Sequence, residues 1–153
     1  MANTLSDSVK DGTAYLAVGL SADIDAGDTM LLVKNTGNRD FRVDHIAISG
    51  GNAASLYDIH FHDTAATAPA GTAVTAVPMN KNAATNLADD LTCKADETGY
   101  SSQGTILAEA VVGVTTRVVV DMQGFTLGYN QAIAIDQVTE STAGGCTLVG
   151  YFV

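Results

Sequence analysis

Residues 124–153 read GFTLGYNQAIAIDQVTESTAGGCTLVGYFV, and the reading of this stretch decides the fold. Two apolar runs, residues 131–138 (QAIAIDQV) and 146–153 (CTLVGYFV), flank a polar, glycine-bearing connection over residues 139–145. Ile133 and Ile135 alternate with Ala132, Ala134 and Asp136, the period-2 pattern of a strand. Val149, Tyr151 and Val153 alternate in the same way with Leu148, Gly150 and Phe152. A frayed Tyr-Phe-Val end would leave large apolar groups in water, so the second run is expected as a core strand.

Working outward, turn signals cut the rest of the chain into short strands. Residues 13–20 (TAYLAVGL), 29–35 (TMLLVKN), 41–49 (FRVDHIAIS) and 55–62 (SLYDIHFH) are read as strands. Between them lie an acidic turn at residues 21–28, a hairpin turn around Thr36-Gly37-Asn38, and Gly50-Gly51-Asn52. Residues 73–78 read as one short edge strand, since Pro78 cannot donate to a ladder. Residues 83–91 are the stretch that tolerates a helical turn, and strands follow at residues 92–95, 105–112 and 115–122, with Gly124 as the turn into the closing pair. Residues 1–12 (MANTLSDSVKDG) have no periodicity and are expected as a flexible N-terminal arm, ahead of a single β-sandwich domain over residues 13–153.

No stretch carries a 3.6-residue apolar face and no repeat period appears, so the expected class is all-β: a jelly-roll-like sandwich of about eight to ten antiparallel strands. Strands 106–112 and 118–120 lack a polar alternate and read as covered on both sides. Only 16% of the 153 residues are charged, against a usual ~25%. That is the composition of a domain with more than one face covered, by core or by neighbouring subunits.

The formal net charge of −10, with seven Lys and Arg placed singly, argues against nucleic acid and anionic membrane as partners, because phosphate binding needs clustered cations. No apolar run approaches the ~20 residues of a membrane span, and the first twelve residues are too polar for a signal peptide. The expected place of synthesis is the cytoplasm. Cys93 and Cys146, 53 positions apart, each sit in an apolar strand and read as buried thiols.

The sharpest chemical candidate is Asp58, His60 and His62. At positions i, i+2 and i+4 of a strand they share one face, opposite Tyr57, Ile59 and Phe61. Nitrogen and oxygen donors so placed could hold a transition metal, with His45 as a possible fourth ligand. The reading adopted is the structural one, a polar strand face at a solvent or subunit surface, so no metal and no cofactor is assigned. A cupin-type centre also begins with His-X-His, but Asp63 is followed by Thr64-Ala65-Ala66-Thr67-Ala68 and no histidine occurs after His62. Asp23 to Asp28 (DIDAGD) puts Asp28 and Lys34 where an EF-hand needs Gly and Glu, and reads as an acidic turn. Asp89-Asp90 and Asp96-Glu97 read as solvated loop charges. There is no Gly-X-Ser-X-Gly, phosphate loop or dinucleotide pattern, so no catalytic residue is assigned and no enzyme is expected.

The Gly128-Tyr129-Asn130 turn, the Ile133-Ala134-Ile135 run, the Gly144-Gly145 turn and the closing Gly150-Tyr151-Phe152 resemble the ends of small all-β virion proteins of tailed bacteriophages. So does the segment Val77-Pro78-Met79-Asn80-Lys81-Asn82 with the Cys93 strand after it, and, more loosely, the Phe41-Arg42-Val43-Asp44 strand. The resemblance implies a jelly-roll capsid decoration (cement) protein, located on the virion. It would bind the major capsid protein at the head surface and stabilise the head as a homotrimer, with the N-terminal arm touching capsid or neighbour. The alternative is a fibre or tail-associated module contacting a host glycan or receptor through exposed aromatics, with Tyr57, Tyr100 and Tyr129 as contributors.

Overall fold

The computed structural model describes residues 4–21, 29–63, 71–82, 86–97, 104–139 and 143–153. In chain order the elements are α1 (Leu5–Asp11), β1 (Ala14–Ser21), β2 (Thr29–Asn35), β3 (Phe41–Ser49), β4 (Ser55–His62), β5 (Thr72–Val74), β6 (Val77–Pro78), a 3-10 turn (Ala88–Asp90), β7 (Leu91–Glu97), β8 (Thr105–Val112), β9 (Arg117–Leu127), β10 (Ala132–Gln137) and β11 (Gly144–Phe152).

The strands form two antiparallel sheets, a five-stranded one in the order β6-β1-β11-β3-β9 and a six-stranded one in the order β5-β7-β2-β10-β4-β8. With the short insertion β5–β7 set aside, the orders become β1-β11-β3-β9 and β2-β10-β4-β8. This is the jelly-roll arrangement: the chain alternates between sheets, and its closing strands slot between its opening ones. The expected fold class is therefore what forms, and both closing strands are central.

Period-2 alternation fills the space between the sheets. Tyr15, Phe41, Ile46, Leu148 and Phe152 from one layer meet Leu31, Val33, Tyr57, Ile59, Ile133 and Ile135 from the other, all buried. Phe152 packs edge-on against Phe41 (centroids 5.1 Å apart) and Tyr15 (5.8 Å). Gly150 makes room for this group, because a Cβ there would stand 2.5 Å from the Phe41 ring. The Tyr15 hydroxyl accepts a 2.6 Å hydrogen bond from the Leu87 amide, so its one polar atom is satisfied.

Two irregularities reset the alternation. Between Val43 and His45 the β3–β9 register shifts, so Phe41 and Val43 face the core on one side of the bulge and Ile46 and Ile48 on the other. Gly124, at φ 77°, lies within the same irregular stretch. It was expected to end a strand and instead lets β9 continue to Leu127. At the other end of β9, the two crossovers between the sheets are bonded together: Gly50 N donates to Thr116 O (2.9 Å) and Thr115 N to Gly51 O (3.1 Å).

Two expectations are corrected. The flexible arm is largely a helix: α1 has Thr4 as N-cap, its Oγ1 accepting from Asp7 N at 3.2 Å, and Gly12 as a left-handed C-cap. Ser8 is fully buried, and the Ser8 carbonyl accepts from Thr13 N at 2.8 Å. Seven residues are too few for an apolar period to show, and the caps define this helix. The single edge strand over residues 73–78 is two strands on different sheets, β5 beside β7 and β6 beside β1. The chain itself covers only one side of β8 and β9, so the cover expected on their other side is left to neighbouring subunits. Each ends its sheet, and Val111 is 74% exposed and Val119 58%. In the helical stretch expected over residues 83–91, residues 88–90 form the 3-10 turn and residues 83–85 lie outside the described residues.

Candidate functional site

The sequence SLYDIHFH forms β4 as read. Tyr57 and Ile59 enter the core, while Asp58, His60 and His62 take the opposite face of the six-stranded sheet. The neighbouring β10 brings a residue that sequence reasoning did not include. Its register sets Asp136 opposite Asp58, Ala134 opposite His60 and Ala132 opposite His62. The two alanines leave space beside the imidazoles, and with Leu32 they form a second small apolar cluster. The sheet is thus buried on both faces along β10.

At the centre His60 Nε2 lies 3.3 Å from Asp136 Oδ2 and 3.9 Å from Asp58 Oδ2. From β2, Thr29 Oγ1 donates a 2.6 Å hydrogen bond to Asp136 Oδ1. One residue on, Gln137 Nε2 donates to Ser55 Oγ at 3.0 Å. Three adjacent strands are therefore tied by a buried polar chain of hydroxyl, carboxylate and imidazole.

That order decides what the chain can do chemically. A nucleophile relay needs the imidazole between hydroxyl and carboxylate, so that nitrogen can take the hydroxyl proton. Here the carboxylate is in the middle, and the hydroxyl is its donor. His60 is 4% exposed and Asp136 2%, leaving no approach for a substrate. The arrangement is a cross-tie of three strands in a low-dielectric setting, in which His60 Nδ1 and Asp58 Oδ1 are buried without a hydrogen-bond partner.

His62 is buried as well, and burial first, with His60 second, pushes its imidazole below the usual range, favouring the neutral form. The expectation of a surface for these histidines is corrected, because both are enclosed within one chain. His45 does not join them. It lies on β3 in the other sheet, with Nδ1 2.7 Å from Asp44 Oδ2. Among the described residues no group of three or more His, Cys, Asp or Glu side chains is arranged to hold a metal.

The other candidates disperse. Cys93 and Cys146 are free, buried and in different sheets, and burial pushes both thiols up to about 12, which removes thiolate reactivity. Asp23 to Asp28 and Tyr100 lie outside the described residues. Tyr57, expected as a contributor to a glycan surface, is a core residue, whereas Tyr129 is 63% exposed. Among the described residues no helix is long and apolar enough to cross a membrane.

What stands out on the surface is the flank where both sheets end in long strands. Ile106, Leu107 and Val111 of β8, Val114 of the connection and Val119 of β9 are exposed apolar residues. Between the two edges runs an open groove lined by Leu107, Ala108, Val120, Asp121, Met122, Gln123 and Phe125. Phe125 at its end meets Phe61 edge-on at 5.3 Å, bridging the layers. The opposite flank ends in β5 and β6, of three and two residues, the latter closed by Pro78. No family model matches the chain, and neither the curated proteins nor the solved structures searched contain a match.

Proposed function

We propose that this chain is a structural protein of a tailed-phage virion, a capsid decoration protein that binds the major capsid protein on the head surface and stabilises it as a homotrimer. The observation that carries the reading is the asymmetry of the two flanks. One is blunted by short strands and a proline, the usual protection of a sheet edge, and the other is left long, apolar and exposed. An exposed apolar patch of this kind marks a surface made to be covered. The jelly roll by itself hosts many roles, so it supports the reading only together with that flank and the sequence resemblance. A trimer would multiply modest subunit contacts to a lattice by avidity.

The test is electron microscopy of particles assembled with and without this chain. Heads carrying it should show a threefold density on their outer surface and survive heating better than heads lacking it. Normal, equally stable heads from which the purified protein is absent would overturn the proposal. A density on the tail or on fibres, with Tyr129 turned outward, would replace it with the host-binding alternative.

A further inference from the structure

The exposed end of β9 reads Arg117-Val118-Val119-Val120-Asp121, and it is complementary to itself. These five residues pair with β3 in unbroken register, from Ser49 opposite Arg117 to His45 opposite Asp121. The bulge in that ladder begins only beyond Asp121, so this is the flat part of the edge. Among the described residues no strand pairs with its other side. Arg117, Val119 and Asp121 are exposed on one face, while Val118 and Val120 pack towards the core. The Asp121 carboxylate is held at the surface by Gln123, whose amide N and Nε2 donate to it at 3.1 and 2.7 Å. Among the described residues Arg117 has no ion-pair partner.

We infer that β9 pairs antiparallel with β9 of a second copy about a twofold axis through Val119. In that register Val119 faces Val119, and each Arg117 faces the Asp121 of the other copy, giving two opposite-charge cross-strand pairs around an apolar centre. Other arrangements lose this match. Parallel in-register pairing sets Arg on Arg and Asp on Asp. A one-residue slip turns the exposed valine and the charges to opposite faces, and a two-residue slip sets one charge against Val119 and the other against Gln123 or Thr115, so both opposite-charge pairs are lost.

The rest of the sheet continues the pattern. Val18, Thr147, Ala47 and Val119 form one uncharged row across the outer face of the five-stranded sheet. Pairing through Val119 joins the two copies of that row across one sheet of twice five strands. A chain with a net charge of −10 repels its own copies over most of its surface. Residues 104–127 carry only Glu109, Arg117 and Asp121, so here two copies can meet without like-charge contact.

The pairing does not depend on the virion role, and it takes only the β9 edge of the exposed flank, leaving Ile106, Leu107, Val111 and Val114 for a threefold or capsid contact. A twofold alone gives a dimer, and a twofold added to a trimer gives a hexamer. Light scattering on the full-length protein over a concentration series tests it through charge reversal. Arg117→Asp alone sets Asp against Asp, and Asp121→Arg alone sets Arg against Arg. Each should weaken association about tenfold or more and halve the particle mass. An equimolar mixture of the two variants sets Asp against Arg at both ends and should restore the full mass, as should R117D/D121R in one chain. A misfolded variant would not be rescued by mixing, so rescue separates pairing from folding. The inference is overturned if wild type is monomeric or purely trimeric throughout, if the single reversals leave its mass unchanged, or if the mixture associates no better than its components.

Discussion

Strands β10 and β8 are written in the same kinds of residue, AIAIDQ and TILAEAVV, yet every residue of β10 is buried while most of β8 is exposed. The contrast is softer between β11, with seven of nine residues buried, and β9, with two of eleven. The difference is position: β10 lies between β2 and β4 and β11 between β1 and β3, whereas β8 and β9 each have one neighbour. An apolar run states that a strand can be covered. The sheet order decides whether its own chain does the covering, and where it does not, a partner can.

The largest effect expected from breaking this contrast is removal of residues 148–153. It takes Leu148, Tyr151 and Phe152 from the core and leaves β1 and β3 without their shared partner. Each buried side chain contributes about 1.5–3 kcal/mol, against a total stability of about 5–15 kcal/mol. The truncated chain should be insoluble. A soluble product with a cooperative melt near that of the full chain would show that β11 is dispensable.

Single truncations measure the same contrast more finely. Ile135→Ala should cost about 3 kcal/mol in urea unfolding, because it empties a packed site. Val111→Ala on β8 should stay within about 0.5 kcal/mol. Comparable losses at both sites would mean that β8 is as enclosed as β10.

Thiol chemistry gives a kinetic version. Cys93 and Cys146 should react with a maleimide only after denaturation, since burial both shields them and pushes them up to about 12. A cysteine placed by Val111→Cys should label at once in native protein. Fast native labelling of wild type would place one of the two thiols at the surface.

The smallest effect expected is the pH response of His62. Its folded value lies below the ordinary 6.5, so above about 6.5 the imidazole is neutral in both states and nothing is lost. Below 6.5 the unfolded chain takes up the proton first, and stability falls as pH drops towards the lowered folded value. His62→Gln should flatten the profile in that window relative to wild type. Parallel profiles for the two proteins would show that His62 is not held neutral by the fold.

Local chemistry made much of this fold legible. Turn segments bearing Gly, Asn or Asp separate β2, β3, β4 and β8 from their neighbours, and the expected bounds of these four strands are the observed ones. What sequence does not carry is which residue lies opposite which. Asp58 and His60 could be placed on one face from spacing alone. Asp136 joins them through register with β4, over 70 residues away in the chain, and its one signal was a lone carboxylate in an Ile-Ala-Ile run. Gly124 was misread for a related reason: a left-handed glycine serves a bulge as well as a turn, and only the neighbouring strand distinguishes them. The exposure of β8 and β9 follows from sheet order, which composition does not encode.

The sheet order also sets a timetable. Before β10 and β11 are synthesised, the pairings available are β1 with β6, β3 with β9, β2 with β5-flanked β7, and β4 with β8. These are four separate pieces, and none of them spans a sheet. The two strands that merge them come after all the others leave the ribosome, and each must insert between partners already laid down. Folding is therefore a late, cooperative closure with long loops to bring together, which slows it. Until it happens, four inner edges lie open on the nascent chain, the stage at which a crowded cell most needs to keep its copies apart.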